Sequence, residues 1–205
     1  MTYSAQGTRL NRRGLETRRQ ILDVAVRCLA EGGPDALSAN RIARDAGVTW
    51  GTIQHQFGDS DGVWAAVLDR LAEDLKVRIP AAPRRQTTIQ GRVRAIVETL
   101  FAEWDTPTSR AVQTLRQSLP QDTQQLAEEF PASAAAFRRC NEAWIALIDE
   151  LFQGLGVSKA KQRRVRVLIP PAVEGIHLNA NLSTLIDPVE ARAALVEVTV
   201  AYLTS

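Results

Sequence analysis

Residues Leu37 to Phe57 read LSANRIARDAGVTWGTIQHQF, and the spacing within that stretch predicts a helix-turn-helix. A short helix carries Ile42, Ala43 and Ala46 inward and meets a sharp turn at Gly47; Val48 plugs the angle before a second helix starts at Thr49. Ser38 follows the apolar Leu37 and is placed to accept a backbone N–H of the next turn, so the first helix starts there. Gly47 sits where the chain reverses within a few residues, which asks for a left-handed conformation that glycine adopts cheaply. Thr49 then caps the second helix. Ile53 and Phe57 lie four apart and face the core, which leaves Thr49, Trp50, Thr52, Gln54 and His55, with Gln56 near them, on the outer face. Those side chains suit base edges and phosphates, so this helix is expected to enter a DNA groove.

The elements on either side fit a three-helix head. Upstream, residues 16–31 repeat Ile21, Leu22, Ala25, Val26 and Leu29 as a helical stripe that Gly32-Gly33-Pro34 ends. Downstream, Asp59 caps a helix in which Val63, Trp64, Val67, Leu68, Leu71 and Leu75 recur at helical spacing. Ile79-Pro80-Ala81-Ala82-Pro83 breaks any helix, and the polar run to Thr88 reads as a loop. Beyond it the pattern predicts helices over 89–104, 108–119, 122–130, 131–155, 158–182 and 188–203, with no strand pattern. In the long fourth of these Phe137, Trp144, Ile145, Leu147, Ile148, Leu151 and Phe152 are the expected buried residues. Pro170-Pro171 is expected to kink or break the fifth, because proline removes a backbone donor and clashes with the preceding turn.

Three segments together resemble the N-terminal domain of TetR-family transcriptional regulators, over about residues 17–71. They are the opening RRQILDVAVRCLAEGG, then IARDAGVTWGTIQHQF, and the acidic Asp59-Ser60-Asp61 start of the next helix. The resemblance implies an all-α chain: an N-terminal three-helix helix-turn-helix DNA-binding domain, a connecting helix, and a C-terminal helical ligand-binding and dimerisation domain. Written as boundaries, these are a flexible basic arm at 1–14, the DNA-binding domain at 15–60 and the ligand-binding and dimerisation domain at 61–205. Gln54 stands where the family usually has Tyr, Gln56 where it usually has His, and Ser60 where it usually has a phosphate-contacting Lys. These departures leave open an alternative, a TetR-like dimeric ligand-binding or protein-interaction module that has lost specific DNA binding.

Charge places the positive field at the start of the chain. Before position 21 stand Arg9, Arg12, Arg13, Arg18 and Arg19 against Glu16 alone, in a protein of net charge +2. With no apolar periodicity before Leu15, the arm is expected to be mobile and to order along a minor groove or the DNA backbone. The candidate DNA contacts are Arg12, Arg13, Arg18, Ser38, Asn40, Arg41, Thr49, Trp50, Gly51, Thr52, Gln54, His55 and Ser60.

At 205 residues the chain can bury a sizeable core, divided between the head and a larger body. No run of eighteen apolar residues and no signal peptide is found, so a cytoplasmic protein with no membrane contact is expected. Cys28 and Cys140 read as buried thiols. Only His55 and His177 supply imidazoles, and no CxxC, HExxH, Gly-rich phosphate loop or GxSxG occurs, so neither an enzyme nor a metal or cofactor site is expected.

In the body, small and apolar residues repeat at three and four on the last two helices. Ala172, Gly175, Ile176, Ala180, Ala191, Ala194, Leu195, Val198 and Tyr202 are the candidate homodimer interface, since small residues let helices approach closely. The resemblance implies that these two helices pair with their symmetry mates as a four-helix bundle, and that a small-molecule effector of unknown identity binds among the middle helices. Phe101, Trp104, Gln113, Arg116, Phe137, Asn141, Trp144 and His177 are the candidate lining, with Glu98 and Asn181 as further polar residues among apolar neighbours. The partners expected are therefore a double-stranded DNA operator, that effector and a second copy of the chain, and the mode is repression.

Overall fold

The computed structural model describes residues 3–33, 35–78, 83–180 and 186–205. Pro34, residues 79–82 of the expected loop, and Asn181 with Leu182 lie outside the described residues. The elements in order are α1 (Arg12–Glu31), α2 (Ala39–Asp45), α3 (Trp50–Phe57), α4 (Ser60–Arg78), a 3-10 turn (Pro83–Arg85), α5 (Ile89–Trp104), α6 (Pro107–Ser118), α7 (Thr123–Glu129), α8 (Pro131–Leu151), α9 (Lys159–Ala180) and α10 (Pro188–Thr204). The fold is all-α, as expected, and among the described residues the only extended pairing is a single bridge between Tyr3 and Arg9. No helix among them is long and apolar enough to cross a membrane.

The chain forms two compact units, neither continuous in sequence: Met1–Ala72 with Pro107–Asn141, and Glu73–Thr106 with Glu142–Ser205. In the first, α1 packs against α6 and α2 around Ile21, Leu29, Ile42, Ile53, Trp64 and Leu68, to which α6 adds Ala111, Val112 and Leu115. Asp61, in the first turn of α4 and only 8% exposed, accepts the backbone N–H of Ala132 at 2.7 Å and of Ser133 at 2.9 Å. It therefore satisfies orphan donors at the start of α8 from 71 positions away. Gly62 beside it is required by contact. A Cβ there would stand 1.9 Å from the carbonyl oxygen of Phe57, so α4 leaves the end of α3 at a distance only glycine permits.

In the second unit, α5 packs against α9 and α10 over Val93, Ile96, Val97, Ile148, Leu151 and Ile169. Arg92 is buried there and donates to the carbonyls of Gln86 and Leu151, the latter at the C-terminal end of α8 where carbonyls lack helical partners. Burial pulls its pKa down. Ile145, expected inside, is 39% exposed, because on α8 it lies off the face carrying Leu147, Ile148 and Leu151.

The expected break at Pro170-Pro171 is absent: α9 runs from Lys159 to Ala180 through both prolines. Proline in a helix interior costs about 3 kcal/mol, in part by leaving the carbonyl four residues back without a donor. For Pro170 that carbonyl belongs to Arg166, and the indole N–H of Trp144 donates to it at 3.0 Å. For Pro171 it belongs to Val167, which is 66% exposed and open to water. Trp144 therefore replaces the missing backbone donor. Trp144→Phe is expected to lower stability by about 1–2 kcal/mol in chemical denaturation, and adding Pro170→Ala, which restores an N–H, should recover most of it. No recovery would mean that the tryptophan contributes by packing alone.

Candidate nucleic-acid interface

The helix-turn-helix is built by local signals. Ser38 Oγ accepts the N–H of Arg41 at 3.2 Å and Thr49 Oγ1 accepts that of Thr52 at 3.2 Å, so both expected N-caps are in place. Gly47 has φ 64°, the left-handed turn between α2 and α3, and Val48 N–H donates to Ala43 at 2.9 Å. Ile42 and Ile53 are fully buried and Phe57 nearly so, which fixes the inner face of α3.

The outer face divides into free and committed groups. Asn40, Thr49, Gly51 and Gln54 are exposed, and Thr52, His55 and Ser60 are half-buried. Trp50 is also half-buried, packed against the core of this unit. Gln56 turns inward instead of outward: it is 4% exposed and its amide donates to the carbonyl of Gly14 at 3.3 Å. Arg18 follows it. Its guanidinium donates to the Gln56 carbonyl and lies 4.1 Å over the Phe57 ring, and burial pulls its pKa down, partly countered by Asp69. Arg18 thus braces α1 on α3 rather than standing free for phosphate. Arg41 is held between Glu31 and Asp45, the latter at 3.6 Å, so much of its charge is already balanced.

Arg12 and Arg13 remain exposed at the first positions of α1, whose N-cap Asn11 accepts the N–H of Gly14 at 2.9 Å. Helix start and guanidinium groups there attract anions together. The helix begins at Arg12, four residues before the expected segment at 16–31, because Asn11 caps it. Residues 3–9 are likewise folded and not an unstructured tail: Ser4 Oγ accepts Thr8 N–H at 3.1 Å, and Ala5 N–H donates to the His55 carbonyl at 3.2 Å. Gln6, which no sequence signal marks, lies 2.9 Å from His55.

Residues 21–67 match the family described as bacterial regulatory proteins, tetR family. That stretch, from within α1 into α4, is similar to the tetR-family N-terminal domain. The HTH-type transcriptional regulator BetI of Brucella anthropi is 31% identical to it over 85 residues, 42% of this chain and 44% of BetI. The chain thus matches under half the length of such curated relatives. Solved structures align over nearly the whole chain. NalD, the secondary repressor of the MexAB-OprM multidrug efflux pump in Pseudomonas aeruginosa, aligns with a TM-score of 0.65 at 20% identity, over 93% of this chain and 98% of NalD. FadR from Bacillus subtilis, solved in complex with stearoyl-CoA, aligns with a TM-score of 0.61 at 20% identity, over 90% of this chain and 98% of FadR. At such identity the likeness is one of fold.

Within this tetR-type fold the eight effector-lining candidates divide between the units. Gln113, Arg116, Phe137 and Asn141 belong to the first, Phe101, Trp104, Trp144 and His177 to the second. Phe101 is buried under the Arg192 guanidinium at 4.1 Å, and His177 Nε2 lies 3.3 Å from Asp105 with its ring tilted against Trp104. Two open recesses, of about 350 Å³ between α1 and α6 and about 500 Å³ at the turn from α8 to α9, are lined by none of the eight. Cys28 is buried as expected, while Cys140 is half-buried with its thiol donating to the Leu68 carbonyl at 3.2 Å.

The arginines separate by experiment. Arg12→Ala and Arg13→Ala are each expected to weaken binding on all sequences alike and to reduce the slope of log K against log salt by about 1. Arg18→Ala should instead lower stability with little change in that slope. Salt titrations by fluorescence anisotropy read both, and unchanged slopes for Arg12 and Arg13 would exclude them as phosphate contacts.

Proposed function

We propose that this chain is a ligand-responsive transcriptional repressor that binds a palindromic operator as a homodimer in the cytoplasm and is released by a small-molecule effector. The observation that carries the reading is the division of α3 into a locked inner face and an outer face of Thr49, Gly51, Thr52, Gln54 and His55, the side chains and small residue that close approach to base edges needs. NalD, a repressor, and FadR, held with stearoyl-CoA, support repression and effector binding. Residues 61–205 would carry dimerisation and effector binding. Repression follows because an operator-bound dimer obstructs polymerase.

Support for the dimer comes from α9 and α10. On α10, Val196, Thr199 and Leu203 face the core, while Ala194 and Val198 face outward. On α9, Val167, Leu168 and Leu178 are exposed apolar residues. Ala172, Gly175, Ile176, Ala180, Ala191 and Leu195 are half-buried, leaving surface for a symmetry mate. Tyr202 is partly engaged at home, its hydroxyl accepting from Arg164 at 2.9 Å.

Selection of bound sequences from a random DNA library tests the reading. A palindrome whose half-sites lie about one helical turn apart, near 34 Å, is the expected result. No enrichment at low salt from folded, dimeric protein would favour the module without an operator, toward which the internal commitments of Arg18 and Arg41 and the uncharged Ser60 already lean.

A further inference from the structure

His55 ends the outer face of α3, and its ring is held by a residue from the start of the chain. Residues 3–9 form a tight turn: Tyr3 bridges Arg9, Ser4 N–H donates to Thr8 at 2.8 Å, and Ser4 is buried. The turn is anchored on α3 by Ala5 N–H donating to the His55 carbonyl at 3.2 Å, which brings Gln6 Oε1 to 2.9 Å from His55 Nδ1. An amide oxygen only accepts, so the neutral imidazole bonded to it carries its proton on Nδ1 and leaves Nε2 as an acceptor. Among the described residues no hydrogen-bond partner occupies Nε2.

We propose that Gln6 is a positioning residue for base reading: it holds His55 in the Nδ1–H tautomer, so that Nε2 selects a base carrying an exocyclic amine donor in the major groove, adenine N6 or cytosine N4. This rests on the DNA-binding reading above. The opposite tautomer would present an Nε2–H donor, which suits the acceptors guanine N7 and O6, thymine O4 and adenine N7 and finds no acceptor on cytosine. The single contact from Gln6 therefore sets the sign of the preference as well as its strength. Its source is a segment outside the helix-turn-helix, so two proteins with identical α3 sequences and different arms would read different operators.

Two measurements test it. In the free protein, nitrogen–proton correlation spectra of histidine-labelled chain resolve the tautomer at a pH where histidine is neutral; with only two histidines, His177→Gln assigns the signals. The Nδ1–H form at His55 is expected, and the Nε2–H form would overturn the proposal whatever the protein does with DNA. In library selection, wild type is expected to require adenine or cytosine at one symmetric position of each half-site. Gln6→Met, which keeps the length but removes the strong acceptor, and His55→Ala should each reduce that preference about tenfold at that same position, leaving the rest of the motif intact. The double variant should match His55→Ala alone. Gln6→Met keeping the preference, or changing a different position from His55→Ala, overturns the pairing while leaving the function standing. A wild type that is folded, dimeric and selects no motif overturns the function and, with it, this inference.

Discussion

Val198→Glu is expected to leave a folded monomer whose operator affinity is lower by at least about a hundredfold, the scale set by losing the linkage between two half-sites. Val198 is 64% exposed on α10, so in an isolated chain a glutamate there meets water and changes stability by no more than about 0.5 kcal/mol. In a two-fold interface the same substitution appears twice and brings two unpaired carboxylates into an apolar contact. Removing such charges from water costs several kcal/mol each, enough to outweigh the small-residue packing expected of α9 and α10. Ala194→Glu, one turn earlier on the same face, should act alike. Sedimentation reads the oligomer, and titration of the selected palindrome reads the affinity. A Val198→Glu protein that remains dimeric and binds as wild type would move the interface away from α10.

Gly62→Ala comes next in size. On propensity alone the change should help, since alanine in a helix interior is favoured over glycine by about 1 kcal/mol. Sterics oppose it. The new Cβ would fall 1.9 Å from the carbonyl oxygen and 2.9 Å from the carbonyl carbon of Phe57, backbone atoms that have no rotamer by which to yield. Relief requires moving α3 or the first turn of α4, where Asp59 Oδ1 already accepts the Gly62 N–H at 2.9 Å. We expect a net loss of about 2–4 kcal/mol in urea unfolding, at the upper end of overpacking effects, and a fall of more than about tenfold in operator affinity because the outer face of α3 is displaced. Neutral or increased stability would mean that propensity wins and the corner relaxes.

What was legible in the sequence is what short-range chemistry writes there. Ser38 and Thr49 announce two helix starts, Gly47 the turn between them, and the four-residue spacing within the pairs Ile42 and Ala46, Ile53 and Phe57, Val63 and Val67, and Trp64 and Leu68 the core of the first unit. The inward turn of Gln56 was not legible, since it depends on Gly14, 42 residues away, and on Arg18 closing over it. Period alone sets a side chain at the edge of a stripe and leaves its direction to whatever partner tertiary packing supplies. Trp144 shows the same limit. As an aromatic among apolar neighbours it reads as a cavity wall, yet its indole serves a carbonyl 22 positions on that only a proline could have left open. Pro170 carried that information, but pairing it with Trp144 needs the fold.

Asp61 and the core around it decide how far the DNA-reading segment can be treated as an interchangeable cassette. Cutting the chain after Ala72 would retain every residue of the helix-turn-helix. It would also strip Ala111, Val112, Leu115, Leu119 and Ala136 from the hydrophobic cluster, and take away the α8 amides that Asp61 serves and the fork by which Arg139 grips Asp69 at 2.8 and 2.9 Å. What remains would be a reading helix on an open scaffold. Hybrid regulators that exchange operator preference at this level therefore need to carry α6, α7 and the first half of α8 along with the head, or to repolarise the surface those helices would otherwise cover.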